Sequence, residues 1–147
     1  MDELETIIVE RPICVMHINY DKSHQCGVFN ADIKDITRKI QLFGDKTARL
    51  VHHRLDGTIY TYTIKDGLLH SFNDDPAEIE DHPTEIEWSW FTNGVIDRRT
   101  GPANIYTRGG EEYYTFYVNG VAYRLADFIY KVDISDEQKI ELVLTYG

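Results

Sequence analysis

The sequence lacks any apolar run near the roughly 20 residues that a membrane-spanning helix needs. Its start, Met1 to Glu5, is acidic where a signal peptide would carry basic side chains. We therefore expect a cytoplasmic protein without a membrane partner. Cysteine is scarce as well, and we interpret Cys14 and Cys26 as free thiols, because a cytosolic chain usually keeps its cysteines reduced. A chain of 147 residues is long enough for one domain, residues 1–147, whose core needs no disulfide or metal.

Basic residues are few, with 15 Lys and Arg against 25 Asp and Glu and a formal net charge of -10. The imbalance lies in the second half, because residues 73–147 hold 15 of the acids and only six of the basic residues. Nucleic-acid affinity depends on Lys and Arg that release counterions, so we do not expect direct DNA or RNA binding. A basic protein partner, or mimicry of nucleic acid, is compatible with this charge.

The sequence also lacks a nucleophile triad and a phosphate-binding loop. Cys14, His17, His24 and Cys26 are ligand types for tetrahedral zinc, but neither pair has the spacing of a zinc knuckle. Cys14 and His17 differ in parity, so on one strand they would point to opposite faces. We therefore predict a protein that is not an enzyme and has no metal or other cofactor, with small buried cysteines and surface histidines here.

Repetition is the strongest pattern in the chain. Three ten-residue segments align without gaps and end in Asp-Gly or Asn-Gly, namely 58–67, 85–94 and 111–120. Their final glycines lie 27 and 26 residues apart, and a Pro-Ala element recurs between them at 74–79 and 100–105. Aromatic and β-branched residues dominate the segments, which is typical of strands. The closing dipeptide suits a two-residue type I′ turn, which needs positive φ angles.

The repeats predict a mainly β fold, an antiparallel meander sheet of three diverged hairpin units. We expect strands near 47–54, 58–65, 84–92 and 111–118, with short return strands near 68–72, 95–99 and 121–124. One repeat cannot bury its own aromatic side chains, so the units must lie side by side. Alternation predicts one buried row formed by Tyr60, Tyr62, Ile64, Trp88, Trp90, Tyr114, Phe116 and Val118. Tyr113 and Tyr117 are expected on the other face together with Ile59 and Ile86, where they are either open for binding or covered by the N-terminal segment.

Helices are predicted at both ends of the repeat region. Ile33, Ile36 and Ile40 have helical spacing and indicate a short helix over 32–42. Residues 135–138 have the form of a capping box and predict a C-terminal helix through Ile140 and Leu142, and 125–131 suit another short helix. The domain thus divides into an N-terminal strand and helix cap at 1–43, hairpin repeats at 44–125 and a helical cap at 126–147. The run 6–19 is strand-like and is broken by a proline.

Two phrases carry a resemblance, Asn93-Gly-Val-Ile-Asp-Arg-Arg-Thr-Gly-Pro-Ala103 and Asp66-Gly-Leu-Leu-His-Ser-Phe-Asn-Asp-Asp-Pro-Ala77. They resemble a repeat of large tailed bacteriophages and giant viruses, in which Asn-Gly is followed by His-Arg and then Asp-Gly-Pro-Ala. That repeat is often grouped with MORN-type hairpins, and the likeness covers about residues 44–125. His70 and Arg98 each keep one half of the His-Arg pair, whereas Ser71 and Asp97 replace the other half. The resemblance implies an interaction module with no common catalytic residues.

The acidic stretch is the first candidate site. Asp74, Asp75, Glu78, Glu80 and Asp81, with Tyr113 and Tyr117, would form a surface that binds a basic partner. The alternative is an acidic loop that keeps a sheet edge soluble.

A second candidate set is basic. His52, His53, Arg54, Arg98, Arg99 and Arg108 would form an anion or nucleotide pocket if they converged. The alternative is that these cations pair with nearby carboxylates or pack over tyrosines.

We therefore expect a non-enzymatic protein-binding module, a bacteriophage protein that inhibits a host defence or regulatory factor in the host cytoplasm. Self-association is compatible with this interpretation. Two alternatives remain from the sequence. One is a sponge for a nucleotide second messenger, and the other is a small metal-dependent hydrolase that uses the Cys and His group, or His70 with Asp74 and Asp75.

Overall fold

The computed structural model describes the backbone of residues 3–9, 14–18, 24–28 and 35–43, and the backbone and side chains of residues 47–54 and 56–147. The strands among these residues are β1 Glu3–Val9, β2 Cys14–Ile18, β3 His24–Val28, β4 Asp35–Phe43, β5 Thr47–Arg54, β6 Ile59–Lys65, β7 Leu68–Leu69, β8 Glu78–Asp81, β9 Glu85–Ser89, β10 Phe91–Thr92, β11 Val95–Ile96, β12 Asn104–Arg108, β13 Glu111–Val118 and β14 Val121–Tyr123. The helices are α1 Leu125–Lys131 and α2 Asp136–Tyr146.

One antiparallel sheet dominates the described part of the chain. Its strand order is β1-β4-β5-β6-β8-β9-β12-β13-β14, and β7 pairs with β6 beside this path. From β4 onward the path follows chain order, because β7, β10 and β11 form small side hairpins. The predicted antiparallel meander is therefore confirmed. The hairpin of β2 and β3 forms a separate two-stranded sheet.

Backbone hydrogen bonds repeat with the period of the sequence. Five bonds of one unit have counterparts 26 or 27 residues later: Thr63 N–H to Ala77 O and Trp90 N–H to Ala103 O, Ala77 N–H to Ser89 O and Ala103 N–H to Thr115 O, His70 N–H to Thr63 O and Asp97 N–H to Trp90 O, Ser71 N–H to Phe91 O and Arg98 N–H to Tyr117 O, and Gly94 N–H to Leu69 O and Gly120 N–H to Ile96 O. Each unit thus bonds its sibling in the same way, which is what a stack of equivalent repeats requires.

The predicted turns are present. Asn93 and Gly94 have φ angles of 47° and 82°, and the corresponding pairs at 66–67 and 119–120 are also positive at both positions. Two positive φ angles are the signature of a type I′ turn, which matches the twist of the strands it joins. The Pro-Ala elements, for which no strand was predicted, lead directly into β8 and β12. Those two strands connect neighbouring units.

The helix predicted over 32–42 is wrong, because the structure places β4 at Asp35–Phe43. Ile36 and Ile40 also satisfy a period of two, so the short apolar pattern was ambiguous. Strand β4 pairs with β1 on one side and with β5 on the other, and these non-local hydrogen bonds outweigh the local helical spacing. Ile33 lies outside the described residues. The strand-like run at 6–19 does contain strands on both sides of its proline.

The single aromatic row is also wrong. Tyr60 lies opposite Glu80 and Tyr62 opposite Glu78, whereas Trp88 lies opposite Ile79 on the other face. Residues opposite each other in register share a face, so the tyrosines of β6 and the tryptophan of β9 are on different sides of the sheet. Ile86 shares the face of Trp88 rather than that of Tyr113. We call the side with Glu78, Glu80, Glu85 and Glu87 the glutamate face, and the opposite side the helix face.

The main described core lies on the helix face at the C-terminal end. Phe116 and Val118 of β13 pack with Phe128, Val132 and Leu142. Helix α1 matches the predicted range, and the capping box of α2 is present. Among the apolar residues of α2, Leu142 is buried, whereas Ile140, Val143 and Leu144 are exposed. Neither of these two helices is long and apolar enough to cross a membrane.

Candidate functional site: the glutamate face

The acidic residues singled out from the sequence do not form one cluster. Glu78 and Glu80 point to the glutamate face, whereas Asp81 lies opposite Ile86 and Ile59 on the helix face. Asp75 is exposed in the loop before β8. The Asp74 carboxylate accepts hydrogen bonds from Arg98 and Thr100. The predicted contact surface is therefore divided between two sides of the sheet.

Glutamates of β8 and β9 form the centre of the glutamate face. Glu80 lies directly opposite Glu87 in the register, and Glu78 and Glu85 occupy the next positions on the same face. Like charges directly opposite each other destabilise a sheet. The Asn104 Nδ2 group donates to Glu87 Oε1 over 2.8 Å, which is a neutral contact and leaves the charge uncompensated. The His82 ring lies 3.4 Å from the Glu80 carboxylate.

The described cations of this face lie at its margin. Arg108 ends β12 and its Nε is 3.9 Å from Glu85 Oε2. Arg54 ends β5, where its guanidinium donates to the Tyr60 hydroxyl and lies 3.7 Å from Asp56. Glu78 on β8 and Glu87 on β9 lie farther from the sheet end at which these two arginines are placed. The middle of the face is consequently negative.

Glu78 is the most perturbed acid of the face. Burial is the main cause that raises its pKa to about 7, and Glu80 and Glu87 add to the effect. The neighbouring Tyr62 also has a raised pKa, because it is partly buried and because Glu78 and Glu80 oppose a further negative charge. Near neutral pH, Glu78 can therefore exchange a proton when a cation approaches.

Tyrosines flank the glutamates on both sides. Tyr60 and Tyr62 on β6 stack with 6.2 Å between ring centroids, and Tyr106 and Tyr113 lie 6.1 Å apart on β12 and β13. Tyr113 is 54% exposed and its hydroxyl donates to Glu111. Tyr117, the other predicted contact residue, is half-buried. Whether an N-terminal segment covers this face falls outside the described residues.

The sequence did not point to Tyr106 as a member of this surface, and it indicated Glu85 and Glu87 only as part of the acidic stretch 74–87, not as predicted contact residues. The available signal was the spacing of 78 with 80 and of 85 with 87, because residues two apart on a strand share a face. The pairing of β8 with β9 could be predicted only if residues 78–81 were recognised as a strand. Without it, the two acidic pairs could not be placed next to each other.

Arg98 has a structural position. Its guanidinium donates to both carboxylate oxygens of Asp74 at 2.9 and 3.0 Å, and to Pro102 O. It also lies 3.9 Å from the ring centroid of Trp90, whose Nε1 donates to Asp74 O. The bonds from Arg98, and a third from Thr100, hold the pKa of Asp74 below its usual range.

The six candidate anion-binding residues do not converge among the described parts of the chain. Arg99 bonds Asp97 and Asn119, and Arg108 lies four residues beyond the start of β12, about 13 Å along the strand. His52 is buried, whereas His53 is exposed and points to the opposite face. These side chains thus do not meet the condition for a nucleotide pocket, and the four arginines contact carboxylates instead.

The residues of the hydrolase alternative have other partners. His70 Nδ1 accepts the Asn93 N–H at 3.0 Å, and partial burial, followed by the charge of Lys65, lowers the pKa of His70 and favours the neutral ring. Asp97 accepts the Asn119 N–H at the same place in the next repeat. Over residues 47–54 and 56–147, no three His, Cys, Asp or Glu side chains are placed to hold a metal ion. The side chains of Cys14, His17, His24 and Cys26 lie outside the described residues.

The glutamate face therefore offers negative charge and tyrosine rings on a regular β scaffold. Such a surface can bind cationic side chains and can exchange a proton at Glu78, but the described residues provide no arranged nucleophile beside it. Comparisons of this chain with protein-family models, with curated proteins and with solved structures find no match.

Proposed function

We propose that this protein is a non-enzymatic binding module whose glutamate face docks onto a basic surface of another protein. The observation that carries the proposal is the direct opposition of Glu80 and Glu87 at the centre of a face on which the arginine side chains that the structure describes lie at the margin. Close carboxylates repel each other, and a cationic partner between them would relieve that repulsion.

The tyrosines support a protein partner. Tyr rings supply large contact area at a low entropy cost, and they are enriched where protein surfaces bind each other. Tyr60, Tyr62, Tyr106 and Tyr113 lie beside the glutamates over neighbouring strands. Strands lie about 4.8 Å apart, so the face from β6 to β13 spans about 19 Å. This width suits a compact basic patch.

We further propose that the partner is a host factor and that the protein acts in the host cytoplasm as an inhibitor of defence or regulation. The support for this step is the resemblance of residues 44–125 to repeats of bacteriophage proteins. The acidic composition adds support, because negative charge steers association with basic proteins.

A differential capture experiment tests the proposal. Wild-type protein, a Glu80→Lys/Glu87→Lys variant and a Glu137→Lys/Glu141→Lys variant serve as three baits in extract of host cells. Both variants replace two glutamates by lysine and therefore have equal net charge. Glu137 and Glu141 are exposed on α2, away from the glutamate face. We expect one partner to be retained by the wild-type and α2 baits and lost from the Glu80/Glu87 bait.

The captured partner is then titrated against each bait at two salt concentrations. Reversal of the two face charges should weaken binding by a factor of about 100 or more, and the wild-type affinity should fall as salt rises. Equal binding by all three baits, or binding that salt does not change, would contradict a contact through the glutamate face. Circular dichroism of each bait verifies that it is folded.

A further inference from the structure

A groove of about 600 Å³ lies on the helix face, on the opposite side of the sheet from the glutamates. Its floor is a straight row of side chains in which Ile79 lies opposite Trp88, Trp88 opposite Ile105, and Ile105 opposite Tyr114. The four residues come from β8, β9, β12 and β13. They are incompletely buried, and α1 and α2 cover only the far end of this face.

The walls of the groove are held by specific contacts. On one side Trp90 is 6% exposed and its indole N–H donates to Asp74 O, which ties the loop before β8 to the sheet. On the other side Tyr146 of α2 packs against Tyr114 with 4.6 Å between ring centroids. The groove is therefore bounded by parts of two repeats and by the C-terminal helix.

The rim of the groove is negative. Asp75 and Glu112 are exposed at the groove, and none of the described residues that line it is Lys, Arg or His. Arg98 contacts the adjacent Asp74 and Trp90, so the charge of Asp74 is compensated. Among the described residues, Asp75 and Glu112 form no ion pair, although the neutral Tyr114 hydroxyl donates to Glu112. An apolar floor between acidic rims is complementary to a segment that is both apolar and cationic.

We propose that this groove is a second binding site, separate from the glutamate face, for a peptide segment in which a large apolar side chain adjoins Lys or Arg. The apolar side chain lies on the row formed by Ile79, Trp88, Ile105 and Tyr114. The cations of the segment contact Asp75 at one rim and Glu112 at the other.

The dimensions fit a short peptide. Strand spacing places Ile79 and Tyr114 about 14 Å apart, which an extended chain of four or five residues spans. A sugar would need open aromatic faces, but Arg98 lies over Trp90 and the Tyr114 ring is engaged with Tyr146. The ring arrangement thus favours insertion of an aliphatic or aromatic side chain over stacking of a glycan.

The protein contains its own reporter for this site. Its two tryptophans, Trp88 and Trp90, both line the groove. A ligand that fills the groove must change their environment and thereby the intrinsic fluorescence. A ligand on the glutamate face contacts the other side of the sheet.

The experiment begins with the immobilised full-length chain and a displayed library of random peptides of about twelve residues. Selected peptides are synthesised without Trp or Tyr and titrated into the protein while Trp emission is recorded. We expect selected sequences to combine Leu, Ile, Phe or Met with Lys or Arg, and we expect binding to shift the emission. Asp75→Lys and Glu112→Lys should each weaken binding by about tenfold or more.

Asp133→Lys is the matched control, because Asp133 is exposed in the segment between the two helices and does not line the groove. It should bind within about twofold of the wild type. Selection of no such peptides, binding without a change in emission, or undiminished binding by Asp75→Lys would overturn the proposal. So would an emission change caused by a panel of oligosaccharides but not by the peptides. The Glu80→Lys/Glu87→Lys variant should still bind the peptides with the emission change, so this site and the proposed function can fail independently.

Discussion

Replacement of Glu78 by Gln should stabilise the protein, and the gain should depend on pH. The ordinary pKa of a glutamate is 4.5, and burial beside Glu80 and Glu87 raises the pKa of Glu78 to about 7. The folded state therefore holds this proton more tightly than the unfolded chain. Between pH 4.5 and 7 the contribution of Glu78 to stability falls as pH rises, and the whole penalty is present above pH 7.

The size of the effect follows from the shift. A group with this difference in pKa would cost about 3 kcal/mol if it were isolated from solvent. Glu78 is only partly buried, and screening by solvent reduces the expected penalty to about 1 to 2 kcal/mol. Glutamine has the shape of a protonated glutamate and does not ionise. Glu78→Gln should therefore raise the free energy of unfolding by about 1 to 2 kcal/mol at pH 8.

Urea denaturation followed by Trp fluorescence measures this difference at several pH values. The gain should shrink as the pH is lowered toward 4.5, because wild-type Glu78 then becomes protonated as well. The exposed Glu141→Gln is the control and should change stability by less than about 0.5 kcal/mol at every pH. A Glu78→Gln variant that is no more stable than the wild type at pH 8, or whose gain does not vary with pH, would refute the reasoning.

Four further substitutions test the fold, with the free energy of unfolding as the measurement. Gly67→Ala and Gly94→Ala both place a side chain at positive φ and should each cost about 1 kcal/mol or more. The second should cost more than the first, because its Cβ would come within 3.3 Å of a neighbouring leucine side chain, and equal costs would contradict this. Arg98→Lys keeps the charge but loses the two-bond contact with Asp74 and the stacking over an indole ring, so we expect a loss of about 1 to 2 kcal/mol. Leu142→Ala should cost about 2 to 4 kcal/mol, because this side chain belongs to the core, and similar stability of the variant and the wild type would exclude that packing.

Much of the fold was predictable because its signals are local. The Asn-Gly and Asp-Gly pairs require positive φ, and the structure has it at residues 93–94 and at both equivalent turns. The capping box that begins at Ser135 predicted the start of α2, because its hydrogen bonds join residues three apart. The spacing of 26 and 27 residues also survives as equivalent backbone hydrogen bonds. Such features depend on few neighbours, so the order of residues alone specifies them.

The candidate site was less predictable because it depends on register. Glu78 and Glu80 were expected to act with Asp74 and Asp81 because they are close in the chain. Alternation in β8 instead separates Glu80 from Asp81, and pairing with β9 brings Glu80 opposite Glu87. Neither strand alone contains that information.

The sequence by itself determined the repeat period, the type I′ turns, the strand character of the units and the C-terminal helix. Only the tertiary structure decided that Asp35–Phe43 is a strand, since its hydrogen bonds go to β1 and β5. It also decided that Tyr60 and Trp88 lie on opposite faces. The physical reason is that alternation along one strand determines which of its own residues lie on the same side of the sheet. Which residues of another strand lie on that side depends on the register of the hydrogen bonds between the two strands.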